Sequence, residues 1–240
     1  MPLTRFVLVE TSHAGNVGAA ARALKVMGFA DLVLVRPRWP DVLQHEEAIA
    51  MASGATDVLA SARTVATLAE ALDGVTQVCA TAMTPRDFGP PTLAPRPHFE
   101  ALAGCPPDIA FIFGSERFGL ANDDVYRSHV CLSIPTAPGY GSLNLAQSVQ
   151  LIAYEWRQAL GGFDVVPRTA QPNLADGRAV QGLLDHWQQT LVEIGYLDPA
   201  APKKLIPRLN QALNRAQVTA EEVHILRGIA RAIGASKDSR

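Results

Sequence analysis

Three short stretches of this 240-residue chain carry side chains that chemistry could use. ETSHAGNVGAAARAL, residues 10–24, places Asn16 and Arg22 at the head of an alanine-rich run. FIFGSERFGL, residues 111–120, sets Glu116 between Gly114 and Gly119. GYGSLNLAQSVQ, residues 139–150, switches from a glycine-punctuated loop to a helical pattern at Ser142, Leu143 and Asn144. Arginine is a permanent cation whose fork of donors suits phosphate or a developing oxyanion, and an amide can orient a hydroxyl. On residue type alone, Asn16 and Arg22 stay open between that chemistry and a turn residue beside a surface charge. Gly15 and Gly18 could merely make a turn. Neither G-x-G-x-x-G nor G-x-x-x-x-G-K-[ST] occurs, which removes the support for a dinucleotide-dependent oxidoreductase or a P-loop protein.

The elements that must position these residues alternate along the chain. Phe6–Val9, Leu32–Val35, Val75–Thr81, Ile109–Phe113 and Val130–Ile134 read as short continuous apolar strands. Between them, Val17–Met27, Glu46–Ala52, Leu68–Leu72 and Asp123–Ser128 read as helices. That alternation predicts an α/β fold with a mostly parallel sheet covered on both faces. In an open parallel sheet, ligands bind beyond the carboxyl ends of the strands, where the quoted loops fall. A long amphipathic helix is predicted from Ser142, as its cap, to about Leu160, with Leu145, Val149, Ile152, Ala153 and Trp156 on its apolar side. Residues 161–173, GGFDVVPRTAQPN, read as a linker. Leu174–Leu197, Lys204–Gln217 and Glu221–Ile233 then read as three helices with no strand between them, Thr219 and Glu222 forming a capping box. The expected organisation is a sheet domain over 1–160, a linker over 161–173 and a small all-α module over 174–240.

Composition narrows the class. With 48% hydrophobic and 18% charged residues the chain is an ordinary globular protein, and its longest apolar runs are of strand length. The N-terminus shows no basic region followed by an apolar stretch and a cleavage site, so a cytoplasmic location is expected, with no membrane partner. Cys79, Cys105 and Cys131 follow no metal-binding or disulfide pattern; all three read as small buried hydrophobes, and no metal is expected. The net charge of −2 divides unevenly, with −5 on residues 1–164 and +3 on 165–240. Basic charge concentrated in the tail fits either a polyanion contact or a solvated helix face.

Taken in order, NVGAAARA, GSERFGL and SLNLAQSV resemble the three signature motifs of the SpoU/TrmH branch of the SPOUT RNA methyltransferases. The start ETSHAGNVG and the helical tail resemble more narrowly the TrmJ type, which 2′-O-methylates a ribose in the tRNA anticodon loop, cytidine or uridine. The resemblance covers residues 5–160 and, less closely, the tail from about 174. It implies a C-terminal trefoil knot, a topology otherwise exceptional, and a bent S-adenosylmethionine (SAM) among three loops. The matching positions are Thr81, Ala82 and Met83, then Gly114, then Ile134 with Ser142, Leu143 and Asn144. The middle loop here, TAMTPRDFGPP, departs from the family pattern in its proline-rich continuation. The resemblance also implies a homodimer whose two knots pack together, which would explain a helix as apolar as Leu145 to Trp156, the other reading being a helix buried within one subunit. It further implies a partner tRNA held by the basic tail, and Arg22, Asn16 and Asn144 at the reacting ribose. A guanidinium does not readily give up its proton, so Arg22 is read as clamping a phosphate and stabilising oxyanion charge. Glu116 is read as a support of its loop. The alternatives are a different function class, an RNA-binding protein using the same fold without catalysis, and a 2′-O-methyltransferase acting on rRNA.

Overall fold

Runs such as IAFIF are apolar at every position because both faces of a parallel sheet are covered, so neither face can be polar. In a computed structural model, which describes residues 2–82, 84, 86–166 and 171–236, Ile109–Phe113 is buried throughout. The seven strands are β1 (Thr4–Val9), β2 (Asp31–Val35), β3 (Arg63–Val65), β4 (Gln77–Thr81), β5 (Thr92–Leu93), β6 (Ile109–Phe113) and β7 (Val130–Leu132). They form one sheet in the order β3-β2-β1-β6-β4-β7-β5, and every ladder is parallel. The two strands absent from the sequence reading, β3 and β5, are three and two residues long and lie at the sheet edges, too short and too exposed for periodicity to reveal.

One face of the sheet is covered by α1 (Ala14–Val26), α2 (Glu46–Ala52), α3 (Thr56–Ser61), α5 (Pro95–Leu102) and α7 (Leu145–Ala159); α4 (Leu68–Ala71) and α6 (Asn122–Tyr126) contribute to the other. Helix α5 opens PRP, and prolines are tolerated in a first turn because its N–H groups have no intrahelical partner. Trp156 of α7 is fully buried; its ring meets Phe99 at 5.3 Å and Phe111 at 6.1 Å, and its indole N–H donates to Thr4 Oγ1 at 3.1 Å. Buried Arg5 is satisfied by Asp31 Oδ2 at 2.8 Å and by the carbonyls of Ala71 and Asp73 at 2.9 and 2.7 Å.

Four sequence expectations are corrected here. Helix α7 starts at Leu145, capped by Asn144 rather than Ser142, because Asn144 Oδ1 accepts from Ala146 N at 2.8 Å while Gln147 Oε1 accepts from Asn144 N at 3.1 Å. The apolar stripe from Leu145 to Trp156 is buried within this chain, so it needs no second copy to cover it. Cys105 is exposed, unlike Cys79 and Cys131, because it lies in the loop after α5; burial pushes the Cys79 thiol up to about 12. Gly15 and Gly18 lie inside α1, which begins at Ala14, instead of making a turn.

The chain divides into two compact units, Met1–Asp164 and Val165–Arg240. The second contains α8 (Gly177–Glu193), α9 (Leu205–Ala216) and α10 (Ala220–Ala235) around Val180, Leu183, Leu184, Val218 and Val223. Helix α8 starts three residues later than Leu174 because Ala175 N donates to Val218 O at 2.9 Å and Asp176 supplies the cap. The expected box at α10 is present: Glu222 N donates to Thr219 Oγ1 at 3.2 Å and Thr219 N to Glu222 Oε2 at 2.6 Å.

Gly18 shows what the small residues of α1 are for. A Cβ there would run into the backbone carbonyl of Ala48 and lie 2.9 Å from Ala52 N, so its absence sets how closely α2 approaches. A Cβ at Gly15 would meet only the mobile end of Glu47. Gly18→Ala is therefore expected to destabilise by about 1–3 kcal/mol despite the better helix propensity of alanine. Gly15→Ala should be neutral or stabilise by up to about 1 kcal/mol. Urea denaturation of both variants checks the contrast, and equal effects would show that α2 gives way.

Candidate active site

Strands β6, β4 and β7 lie side by side, and in an open parallel sheet the segments beyond the carboxyl ends of the strands leave a crevice. A cleft of about 300 Å³ opens there, walled by three loops. Thr81, Ala82 and Arg86 come from the end of β4 and the segment after it, Gly114 to Glu116 and Phe118 to Leu120 from the segment after β6, and Ile134 with Gly141 to Leu143 from the approach to α7. Of the residues expected around a cofactor, Thr81, Ala82, Gly114, Ile134, Ser142 and Leu143 line this cleft together. Met83 lies outside the described residues. Asn144 and Asn16 are not among its lining residues; Asn144 follows the lining Leu143 in the chain and bonds to Asn16. Arg22 projects from the exposed side of α1 and, among the described residues, has no ion-pair or hydrogen-bond partner.

Gly114 closes the β6 loop on itself. A Cβ on Gly114 would collide with the backbone of Gly119 and Leu120, and the loop is pinned by Ser115 N to Gly119 O at 3.2 Å and Gly119 N to Ser115 O at 2.9 Å. That turn presents Glu116 to the loop after β1. Its Oε1 accepts from Thr11 Oγ1 at 3.0 Å and Asn16 Nδ2 at 2.8 Å, and its Oε2 from Ser12 N at 2.8 Å and Ser12 Oγ at 2.7 Å. Burial alone would raise this carboxyl, but the bonds from Asn16 and from the backbone and hydroxyl of Ser12 outweigh it and hold the group at about 2.

An ionised carboxylate only accepts, so the amide nitrogen of Asn16 must face it and the Asn16 oxygen must face away. That oxygen accepts from Asn144 Nδ2 at 2.9 Å, which turns the Asn144 oxygen toward Ala146 N. One carboxylate thus fixes the polarity of a chain that ties the β6 loop, α1 and the start of α7. Cap and amide coincide at Asn144 because the same side chain closes the helix and ends this chain. Glu116 is a poor general base, with its oxygens taken and its acidity strong, so the cleft offers positioning and electrostatics rather than a built-in proton acceptor. Sequence reading assigned Glu116 to its own loop; its reach to Thr11, Ser12 and Asn16 had no local signal. Arg86 was not singled out at all, and its only sequence cue was the departure of its loop from the family pattern. Among the described residues, no three His, Cys, Asp or Glu side chains cluster as metal ligands, and no helix is long and apolar enough to cross a membrane.

Glu116→Gln would set an amide N–H against donors, so a loss of roughly 2–4 kcal/mol is expected at neutral pH. The wild-type group is held at about 2, against an ordinary carboxyl near 4.5. Its contribution is complete above the unfolded value and is lost as pH falls through the folded one. The stability gap between wild type and variant should therefore be full at pH 7 and shrink progressively from about pH 4.5 toward pH 2. Urea titrations across that range test this, and a gap independent of pH would show that the carboxylate's charge is not what holds the chain together.

Comparison with known proteins agrees with this geometry. The SpoU rRNA Methylase family profile matches residues 4–154, and the profile for the C-terminal domain of tRNA methyltransferase TrmJ matches residues 178–240. The tRNA (cytidine/uridine/adenosine-2′-O-)-methyltransferase TrmJ of Pseudomonas aeruginosa is 39% identical, over 94% of this chain and 91% of that protein. The tRNA (cytidine/uridine-2′-O-)-methyltransferase TrmJ of Klebsiella pneumoniae is 40% identical, over 94% and 93%. The crystal structure of TrmJ from Z. mobilis aligns with a TM-score of 0.81 at 31% identity, covering 98% of this chain and 99% of that one. With both of its segments matched and its fold shared end to end, the chain belongs to the SpoU methylase family and, within it, to the TrmJ group.

Proposed function

We propose that this protein transfers the methyl group of SAM to the 2′-hydroxyl of a ribose in the tRNA anticodon loop, with cytidine or uridine as the target, in the cytoplasm. The observation that carries the reading is the convergence on one cleft of the GSERFGL and SLNLAQSV motifs with the segment after β4, in a chain that aligns with TrmJ enzymes along its length. We assign residues 1–160 to the methyltransferase domain with its trefoil knot, 161–173 to a linker and 174–240 to an RNA-binding module.

The cleft fits the methyl donor. It is of small-ligand size, and the buried hydroxyl of Thr81 on its wall has no hydrogen-bond partner, as expected of a group that bonds to what binds there. Thr81, Ala82, Gly114, Ile134, Ser142 and Leu143 form this site in the proposal, Leu143 as an apolar wall, with Asn144 next to it in the chain. When bound, SAM would supply an electrophilic methyl on its sulfonium: the ribose 2′-oxygen bonds to that carbon in line, the carbon–sulfur bond breaks to leave S-adenosylhomocysteine, and the hydroxyl proton passes to solvent. The protein's own part is to hold that oxygen in place. Arg22, exposed and unpartnered, clamps the neighbouring phosphate and stabilises charge on the attacking oxygen. Asn16 and Asn144 each commit one amide hydrogen to the Glu116 chain and keep a second to orient the hydroxyl.

A homodimer is part of the proposal, on a footing different from the one the sequence suggested. The face left for a second copy comprises Val26 on α1 and Leu151 and Tyr154 on α7, which are 56%, 39% and 43% exposed on two packed helices. The tail supplies the phosphate contacts. Lys203, Lys204 and Arg208 line a second cleft with Tyr196, and none of the three cations has an ion-pair partner among the described residues. Arg227 is less suited to that task, since it is half-buried beside Gly182 of α8.

Arg22→Ala is expected to leave S-adenosylhomocysteine affinity within a few-fold and to lower methyl transfer to a tRNA transcript by roughly a hundred- to a thousand-fold, the scale of losing one oxyanion donor. Equal losses of both would move Arg22 into the donor site, and the position of the transferred methyl, mapped by nuclease digestion, tests the anticodon-loop assignment.

Replacing Lys203, Lys204 and Arg208 together with alanine should weaken tRNA binding. It should also flatten the dependence of log affinity on log salt by about 2 units, at roughly 0.7–0.9 per phosphate contact. Unchanged affinity and slope would make the tail a packing element.

A further inference from the structure

Among the described residues, three buried polar side-chain atoms lack a hydrogen-bond partner: Thr81 Oγ1, Arg86 Nε and Arg227 Nε. Thr81 and Arg86 line the same cleft, five residues apart on the segment that leaves β4. Folded proteins keep few such atoms, so two in one wall point to a ligand that satisfies them.

Among the described residues, Arg86 is the single cation lining the cleft. Within the same set its guanidinium makes one hydrogen bond, from Nη1 to Thr84 O at 3.1 Å, and no ion pair. The one carboxylate in the lining, Glu116, is saturated by Thr11, Ser12 and Asn16 and has nothing left to offer it. Nor is the arginine on a loose segment. Gly89 N donates to Arg86 O at 3.0 Å, Phe88 takes a φ of 59°, and Tyr126 Oη donates to Asp87 O at 3.1 Å, which fixes the turn that carries it. A held, half-buried guanidinium with unused donors at a small-ligand cleft is suited to a carboxylate, which accepts its fork in a bidentate pair.

Resting on the reading of this cleft as the methyl-donor site, we propose that Arg86 is a specificity-determining residue that binds the α-carboxylate of the donor's amino-acid end. The arginine then selects a complete amino-acid tail on the adenosine and fixes the far end of the donor while the β6 and α7 loops hold the rest. An RNA phosphate is the other source of anionic oxygen, and the two are separated by experiment.

Isothermal titration of full-length wild type, Arg86→Lys and Arg86→Gln would use two probes: S-adenosylhomocysteine and its decarboxylated analogue, which keeps adenosine and amine. Wild type should prefer the intact ligand by about ten-fold or more. Arg86→Gln should lose that preference by weakening only the intact ligand, and Arg86→Lys should fall between; tRNA affinity should not change. The unaltered analogue doubles as the check that the variant cleft is folded. Equal weakening of both probes would overturn the assignment and make Arg86 a loop-shaping residue. Unchanged binding of the intact ligand would also overturn it, and a fall in tRNA affinity alongside would identify the anion as RNA phosphate. Wild-type protein that binds neither probe would overturn the methyl-donor reading of the cleft, and this assignment with it.

Discussion

The site depends on one carboxylate kept ionised. Glu116 collects donors from Thr11, Ser12 and Asn16, all on or next to the loop after β1, although it arrives on the loop after β6. The sheet places β1 and β6 side by side, and without a pairing between their loops the two would be free to part. Because the group accepts and never donates, it dictates which way each amide beyond it points, as far as the cap of α7. A neutral side chain of the same shape would leave that orientation undetermined. The physical cost of burying the charge is offset by the number of donors, which is why its acidity rises instead of falling.

Close approach is the second constraint, and it explains why glycine recurs where the motifs occur. Gly18 is not a hinge; it is a missing side chain through which α1 and α2 come together, and α1 is thereby held as the fixed mount of Asn16. Gly114 does the same for a loop that must fold back on itself before it can present Glu116. The fully parallel sheet, buried on both faces, provides the rigid base, so the irregular segments beyond the strand ends can be shaped for a ligand.

Charge is distributed between the two units in a way that suits a division of labour. The sheet unit is acidic overall and the tail is basic. For a polyanionic substrate, long-range attraction then comes mainly from the tail, while the sheet unit offers single cations such as Arg22 and Arg86 for close work. Among the described residues, the tail's apolar cluster holds five buried side chains, a small core for a module of this length.

Strand and helix alternation was legible in the sequence because continuous apolar runs such as Phe6–Val9 and IAFIF have one structural use, and the capping box at Thr219 because both of its partners are local. Two of the loops that form the cleft were also legible, since GSERFGL and SLNLAQSV sit where parallel strands end, while the segment after β4 was pointed to only by the family resemblance. The short edge strands β3 and β5 were not, because two or three residues carry no period. The first residue of α7 was misread because serine and asparagine both cap well, and only the contact of Asn144 with Asn16, 128 positions away in sequence, selects between them. The same holds for the covering of the α7 apolar face, which the sequence could not distinguish from a dimer interface. Composition and local pattern determined which elements exist and where chemistry could gather. The partners of Glu116, the isolation of Arg22 and the unpaired donors of Arg86 were decided only in three dimensions, because hydrogen bonds between loops depend on which strands become neighbours, and that neighbourhood is set by the packing of the whole sheet.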